Sequence, residues 1–166
     1  MAISKIMEKE FNKQINAELY SSYLYLSMAA NFESTNLKGL ATWMKVQAKE
    51  EMTHVMKMYD FVFDRGGKVL LDTIKKPKAS WKTPLDAFKE ALAHEKYITN
   101  LINNLVELTK KEKDNASFSF LQWFVNEQVE EEATAEEIVQ RLSMIKGVGG
   151  GIYWIDRELG MRGRGK

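Results

Sequence analysis

Apolar residues recur along this chain at alternating spacings of three and four, and four long stretches carry one such stripe each. The first reads Phe11, Ile15, Glu18, Ser22, Tyr25, Ala29, Phe32, and the second Leu40, Met44, Gln47, Glu51, His54, Met58, Phe61. The third reads Phe88, Leu92, Glu95, Ile102, Leu105, and the fourth Phe120, Phe124, Glu127, Glu131, Thr134, Ile138. A helix shows a stripe of this period to neighbours lying alongside it at shallow angles, so the pattern predicts an all-α four-helix bundle.

Local signals place the ends. Helices are predicted over about 4–33, 37–65, 84–112 and 115–146, with a short fifth over about 151–159 and a basic tail at 160–166. Ser34-Thr35-Asn36 forms a polar turn whose side chains are expected to cap the second helix. Gly66-Gly67 stops that helix, because glycine tolerates the left-handed conformation that ends helices. Thr83-Pro84-Leu85-Asp86 reads as an N-cap, a first-turn proline and an acid three past the cap. Asp114-Asn115 opens the fourth helix, and the glycines from Gly147 to Gly151 set off the fifth. Loops of about three residues make the first pair and the last pair antiparallel. The connection from Gly66 to Thr83 spans about 55 Å when extended, against about 42 Å for a helix of about 28 residues. It is predicted to run the length of the bundle as a crossover, leaving the second and third helices parallel. The whole of 1–166 reads as one domain.

Composition narrows the chemistry. Lys and Arg number 24 and Asp and Glu 23, so no overall field attracts nucleic acid or an anionic membrane. No run of about 18 apolar residues offers a membrane span, and the N-terminus lacks a secretory pattern, so a cytoplasmic protein is expected. There is no cysteine, which confines metal ligands to oxygen and imidazole, and the histidines are His54 and His94.

All four stripes contain an acid and none contains Lys or Arg. At about 1.5 Å per residue, Glu18, Glu51, Glu95 and Glu131 all lie about 16 to 24 Å along their helices, at one level of the bundle. A single Glu on a stripe is ordinarily a misjudged face whose carboxylate reaches water. Four at one level, with His54 one turn from Glu51, form an uncompensated negative cluster in a core, and a buried carboxylate needs an opposite charge or a proton. A cation resolves this. Carboxylates with imidazole suit Fe, Mn or Zn, and four acids suit a pair of ions. The acid run from Glu127 to Glu137 is otherwise a solvated face, and that reading is kept for Glu132, Glu136 and Glu137.

Asn16-Ala-Glu18-Leu-Tyr20-Ser-Ser-Tyr-Leu-Tyr25, Glu50-Glu-Met-Thr-His54, His94-Glu95 and the stretch from Phe120 to Glu132 closely resemble bacterial and archaeal non-haem ferritins over almost the whole chain. The resemblance implies a ferritin-like bundle that stores iron inside a hollow homo-oligomeric shell of about two dozen copies. It also implies a ferroxidase centre oxidising Fe(II) with O2 or H2O2. Carried over by position, the first iron is held by Glu18, Glu51 and His54 and the second by Glu51, Glu95 and Glu131, with Gln128 beside them. Glu50, Glu127 and Glu130 match a third iron site, and Tyr25 matches a tyrosine beside the centre. Trp123 lies in the same neighbourhood and is expected to pack in the core. Gln128-Val-Glu-Glu131 stands where bacterioferritins carry a second Glu-x-x-His, and Met52 is read as packing, so no haem is expected. Two other readings compete. A signalling or scaffold bundle predicts no carboxylate layer. A DNA-protecting mini-ferritin is raised by the Arg162-Gly-Arg-Gly-Lys166 tail, which is expected to be solvated along with the basic stretch from Arg65 to Lys82.

Overall fold

The computed structural model describes residues 2–164, so Met1, Gly165 and Lys166, the last two belonging to the predicted tail, lie outside the described residues. Five helices follow in order: α1 (Lys5–Ser34), α2 (Lys38–Asp64), α3 (Pro84–Glu112), α4 (Asn115–Met144) and α5 (Gly151–Leu159). There is no strand among the described residues, and no helix there is long and apolar enough to cross a membrane.

Most helix ends follow from neighbouring residues. Ser4 Oγ accepts from Met7 N at 3.2 Å, Thr83 Oγ1 from Asp86 N at 3.1 Å, and Asp114 Oδ1 from Ser117 N at 3.1 Å. Each satisfies a donor that the first helical turn leaves without a partner. At the end of α2, Gly66 takes φ +70° and donates to Phe63 O, while Gly67 donates to Val62 O, each at 2.9 Å. That pair of bonds closes the last turn with a left-handed residue.

The start of α2 departs from expectation. Ser34 Oγ donates to Asn31 O at 2.8 Å and Thr35 Oγ1 to the same carbonyl at 3.2 Å, so the polar turn closes α1 instead of capping α2. The α2 terminus is served from far along the chain: Leu40 N donates to Asp156 Oδ1 of α5 at 2.9 Å. Gly39 allows this approach, since a Cβ there would stand 1.6 Å from the Asp156 carbonyl oxygen.

The crossover runs beside α1. Near its start Lys68 N donates to Glu8 Oε2 at 3.0 Å, and Asn12 donates to Lys68 O at 2.9 Å while accepting from Leu70 N at 2.6 Å. Near its end Ser27 Oγ donates to Lys78 O at 2.6 Å, and Trp81 is buried against the core. The chain thus travels from the first turns of α1 toward its last before α3 begins, which makes α2 and α3 parallel.

The core is split. One apolar cluster joins Leu24, Met28 and Phe32 with Leu40, Met44, Phe88, Ile138, Leu142 and the inner face of α5. The other joins Met7, Phe11 and Ile15 with Met58, Val62, Ile98, Ile102, Leu121 and Phe124. Between them, along every long helix, lie the acids.

Candidate metal centre

Helical spacing carries one acid from each of four helices into the gap between the two apolar clusters. Glu18, Glu51, Glu95 and Glu131 are all buried, as is His54 one turn beyond Glu51. Ligand atoms of Glu18, Glu51 and His54 lie within 4.8 Å of one another, and so do those of Glu51, Glu95 and Glu131. Glu51 belongs to both groups and therefore sits between two candidate cation positions. His54 Nδ1 is 3.2 Å from Glu51 Oε2 and 3.9 Å from Glu18 Oε2.

Neutral amides surround the acids. Gln14 Nε2 donates to Glu18 Oε1 at 2.8 Å, and Gln47 Nε2 to Glu51 Oε1 at 3.0 Å and Glu131 Oε2 at 2.7 Å. Gln128 Nε2 donates to Glu95 Oε2 at 3.1 Å, and the Tyr25 hydroxyl donates to Glu95 Oε1. One oxygen is left over: Glu18 Oε2 is buried with no hydrogen-bond partner, on the side facing His54. An orphaned buried carboxylate oxygen beside an imidazole and a bridging carboxylate is the donor set a divalent cation takes.

The protonation of the site reflects the same crowding. Burial, with the charges of Glu95 and Glu18 added, pushes Glu51 well above the usual carboxylate range. Burial and then the Glu131 charge raise Glu95 to about 7. Burial raises Glu131 as well. Burial alone would lower His54, but attraction to the Glu18 and Glu51 carboxylates outweighs it and holds the imidazole up to about 11. Tyr25 is pushed well above its ordinary value by burial and by the Glu95 and Glu51 carboxylates, so its proton stays on the phenol. Without metal, the cluster is compensated by a proton on His54 and by carboxylates that keep their protons to higher pH than usual.

The remaining candidates divide. Glu127 is half-buried and groups with His54 and Glu131. Among the described residues no such cluster includes Glu50 or Glu130: Glu130 is exposed, and Glu50 Oε2 is paired with Arg162 at 2.7 Å. Trp123 is not a core residue. It is 39% exposed, meets His54 edge-on at 5.4 Å, and carries Lys57 Nζ over its ring at 4.4 Å. His94 turns away from the cluster, with Nε2 2.7 Å from Ser21 Oγ, and burial lowers its pKa.

The tail also departs from expectation. Although no stripe supplies a cation, Arg162 folds back from beyond α5 and reaches Gln47 Oε1 at 2.9 Å, so it is not a solvated tail residue. Sequence reasoning missed its role and that of Gln14. For the amides a signal exists: Gln14 and Gln47 each precede an acid by four residues and Gln128 precedes one by three, the spacings that put two side chains on one helix face. Nothing local marks Arg162.

Comparison with known proteins bears on this arrangement. The model of the ferritin-like domain matches residues 8–145. A bacterial non-heme ferritin from Bacteroides fragilis is 45% identical over 161 residues, covering 96% of this chain and 99% of the relative. One from Escherichia coli O6:H1 is 38% identical, covering 92% and 93%. The crystal structure of an open pore ferritin from the archaeon Archaeoglobus fulgidus superposes with a TM-score of 0.96 at 49% identity, covering 97% of this chain and 99% of that one.

Proposed function

Because the chain belongs to the ferritin family, we propose that it stores iron, oxidising Fe(II) at the buried cluster and passing Fe(III) to a mineral inside a shell of about 24 copies. The observation that carries this reading is the pair of ligand groups sharing Glu51 inside a single chain. Glu18, Glu51 and His54 would take one Fe(II), and Glu51, Glu95 and Glu131 the second. Each Fe(II) gives up one electron, and the pair supplies the two that reduce O2 to peroxide or H2O2 to water. Anionic oxygen ligands favour the more highly charged product. With one imidazole at the first position and none at the second, the second ion is the one released more readily. The Tyr25 hydroxyl, held on Glu95, orients that carboxylate.

Glu50, Glu127 and Glu130 would serve an ion leaving toward the cavity, and for Glu50 this requires Arg162 to move aside. Assembly is supported by apolar side chains left uncovered on one chain, including Tyr153 and Trp154 of α5 and Leu70 and Leu71 of the crossover. Chains working in the cytoplasm would meet Fe(II) there.

The test is rapid-mixing oxidation of Fe(II) with sedimentation as the control. Glu18→Ala or His54→Ala slows the initial oxidation strongly and leaves the assembly intact. Unchanged initial rates would sink the proposed centre.

A further inference from the structure

Arg162 lies three residues beyond Leu159, the last residue of α5, and its guanidinium is turned onto α2. Nη2 reaches Glu50 Oε2 at 2.7 Å and Gln47 Oε1 at 2.9 Å, Nη1 is 3.4 Å from the Trp43 carbonyl, and the group stacks over the Trp43 ring at 4.2 Å. Gln47 is 1% exposed. Its other end donates to Glu51 and Glu131, the two carboxylates that flank the second candidate cation position with Glu95.

A primary amide has two orientations of nearly the same shape, which exchange its donor and acceptor ends. Here they are far from equal. In the observed one the carbonyl oxygen receives a guanidinium N–H and the NH2 group faces two carboxylates. The flipped one sets the carbonyl against two carboxylates and the NH2 group against a guanidinium. Arg162 thus removes the alternative; Glu50 pairs with its charge at close range, and the part of that charge that still reaches Glu131 favours the ionised carboxylate.

We propose that Arg162 is a positioning residue for the second metal position: it fixes the Gln47 amide, and the amide sets the orientation of Glu51 and Glu131. The proposal rests on the two-ion reading of the cluster. Partners that orient metal ligands from outside the ligand set are worth about 10- to 100-fold in affinity.

The test is calorimetric titration of the metal-free full chain with Zn(II), which binds without redox chemistry. Arg162→Met weakens the second Zn(II) by about tenfold and the first by less, since Gln47 holds two of the three carboxylates at the second position and at the first only the shared Glu51. Arg162→Lys, which keeps a charged donor, recovers part of the loss. Gln47→Leu reproduces the loss, and combining it with Arg162→Met adds nothing, since both act through one amide. Should Arg162→Met fail to assemble, Arg162→Lys and Gln47→Leu carry the comparison. The proposal is overturned if Arg162→Met binds the second Zn(II) as tightly as the parent, or if the two losses add. A parent chain that binds fewer than two Zn(II) ions removes the two-ion reading itself, and this proposal with it.

Discussion

Loading the cluster with metal should expel protons, and the structure sets how many and over which pH range. His54 ligates only as neutral imidazole, yet Glu18 and Glu51 hold its pKa up to about 11 in the metal-free chain. At pH 7 removing that proton costs about 5 kcal/mol, four pH units at about 1.36 kcal/mol each. The cost falls by one such unit for every unit rise in pH. The His54 proton alone therefore makes the apparent affinity of the first Zn(II) rise about tenfold per pH unit, or about 100-fold between pH 6 and 8, and any proton on the raised Glu51 steepens this. Glu95 adds a second proton below about 7, where it is still protonated, so the combined dependence steepens on the acid side. Folding stability of the metal-free chain follows the same signs. The His54 contribution is fully present below about 6.5 and is lost as pH rises through about 11. The raised Glu95 is a penalty that grows from its ordinary value of 4.5 up to about 7. Calorimetry in buffers of different ionisation enthalpy counts the protons directly. At pH 8 the first Zn(II) releases at least the His54 proton, and His54→Gln lowers the count by one. An affinity flat between pH 6 and 8, with no proton released, would refute the charged imidazole and the electrostatic account of the cluster.

Three further outcomes follow from named contacts. Gly39→Ala puts a methyl group 1.6 Å from the Asp156 carbonyl oxygen and 2.5 Å from its carbon, both backbone atoms, so α5 must lift off α2. The cost is about 1–3 kcal/mol, seen as faster amide exchange across Gly151–Leu159; parent-like protection would contradict it. Asp156→Ala leaves Leu40 N without its acceptor and lowers stability by about 1 kcal/mol in chemical denaturation, most of it restored by Asp156→Asn. Tyr25→Phe removes the hydroxyl that donates to Glu95 and lowers its pKa, so Glu95 titrates higher. The second, Glu95-derived proton released on Zn(II) loading then persists to higher pH than in the parent, and an unchanged profile would discount the bond.

How much of this was legible beforehand depended on range. Ser4, Thr83-Pro84, Asp114 and Gly66-Gly67 act on residues within one turn, so their roles can be read from neighbours, and those ends fall within a few residues of expectation. The crossover length bounded the topology, and the bonds of Asn12 and Ser27 to it supply the direction. The acids were visible because each interrupts an apolar stripe at the same height. What escaped is long-range. Asp156 caps a helix that begins more than a hundred residues earlier, and Arg162 meets Gln47 at a similar separation. Ser34 and Thr35 had two adjacent helix ends to serve, and their side chains chose carbonyls behind them over amides ahead. Periodicity places Trp123 near His54 but cannot tell an edge-on partner at the rim from a core residue.

The division of the interior into two oily clusters separated by a charged layer has a mechanical consequence. Each subunit resembles two short bundles stacked end to end, with their mutual adhesion weakest at the join, where dispersion contacts give way to carboxylates that repel one another. Cargo entering that join acts as a rivet. An empty subunit should breathe at its waist and a loaded one should not, so the same layer that makes the bundle fragile when idle ties its stiffness to the presence of what it handles.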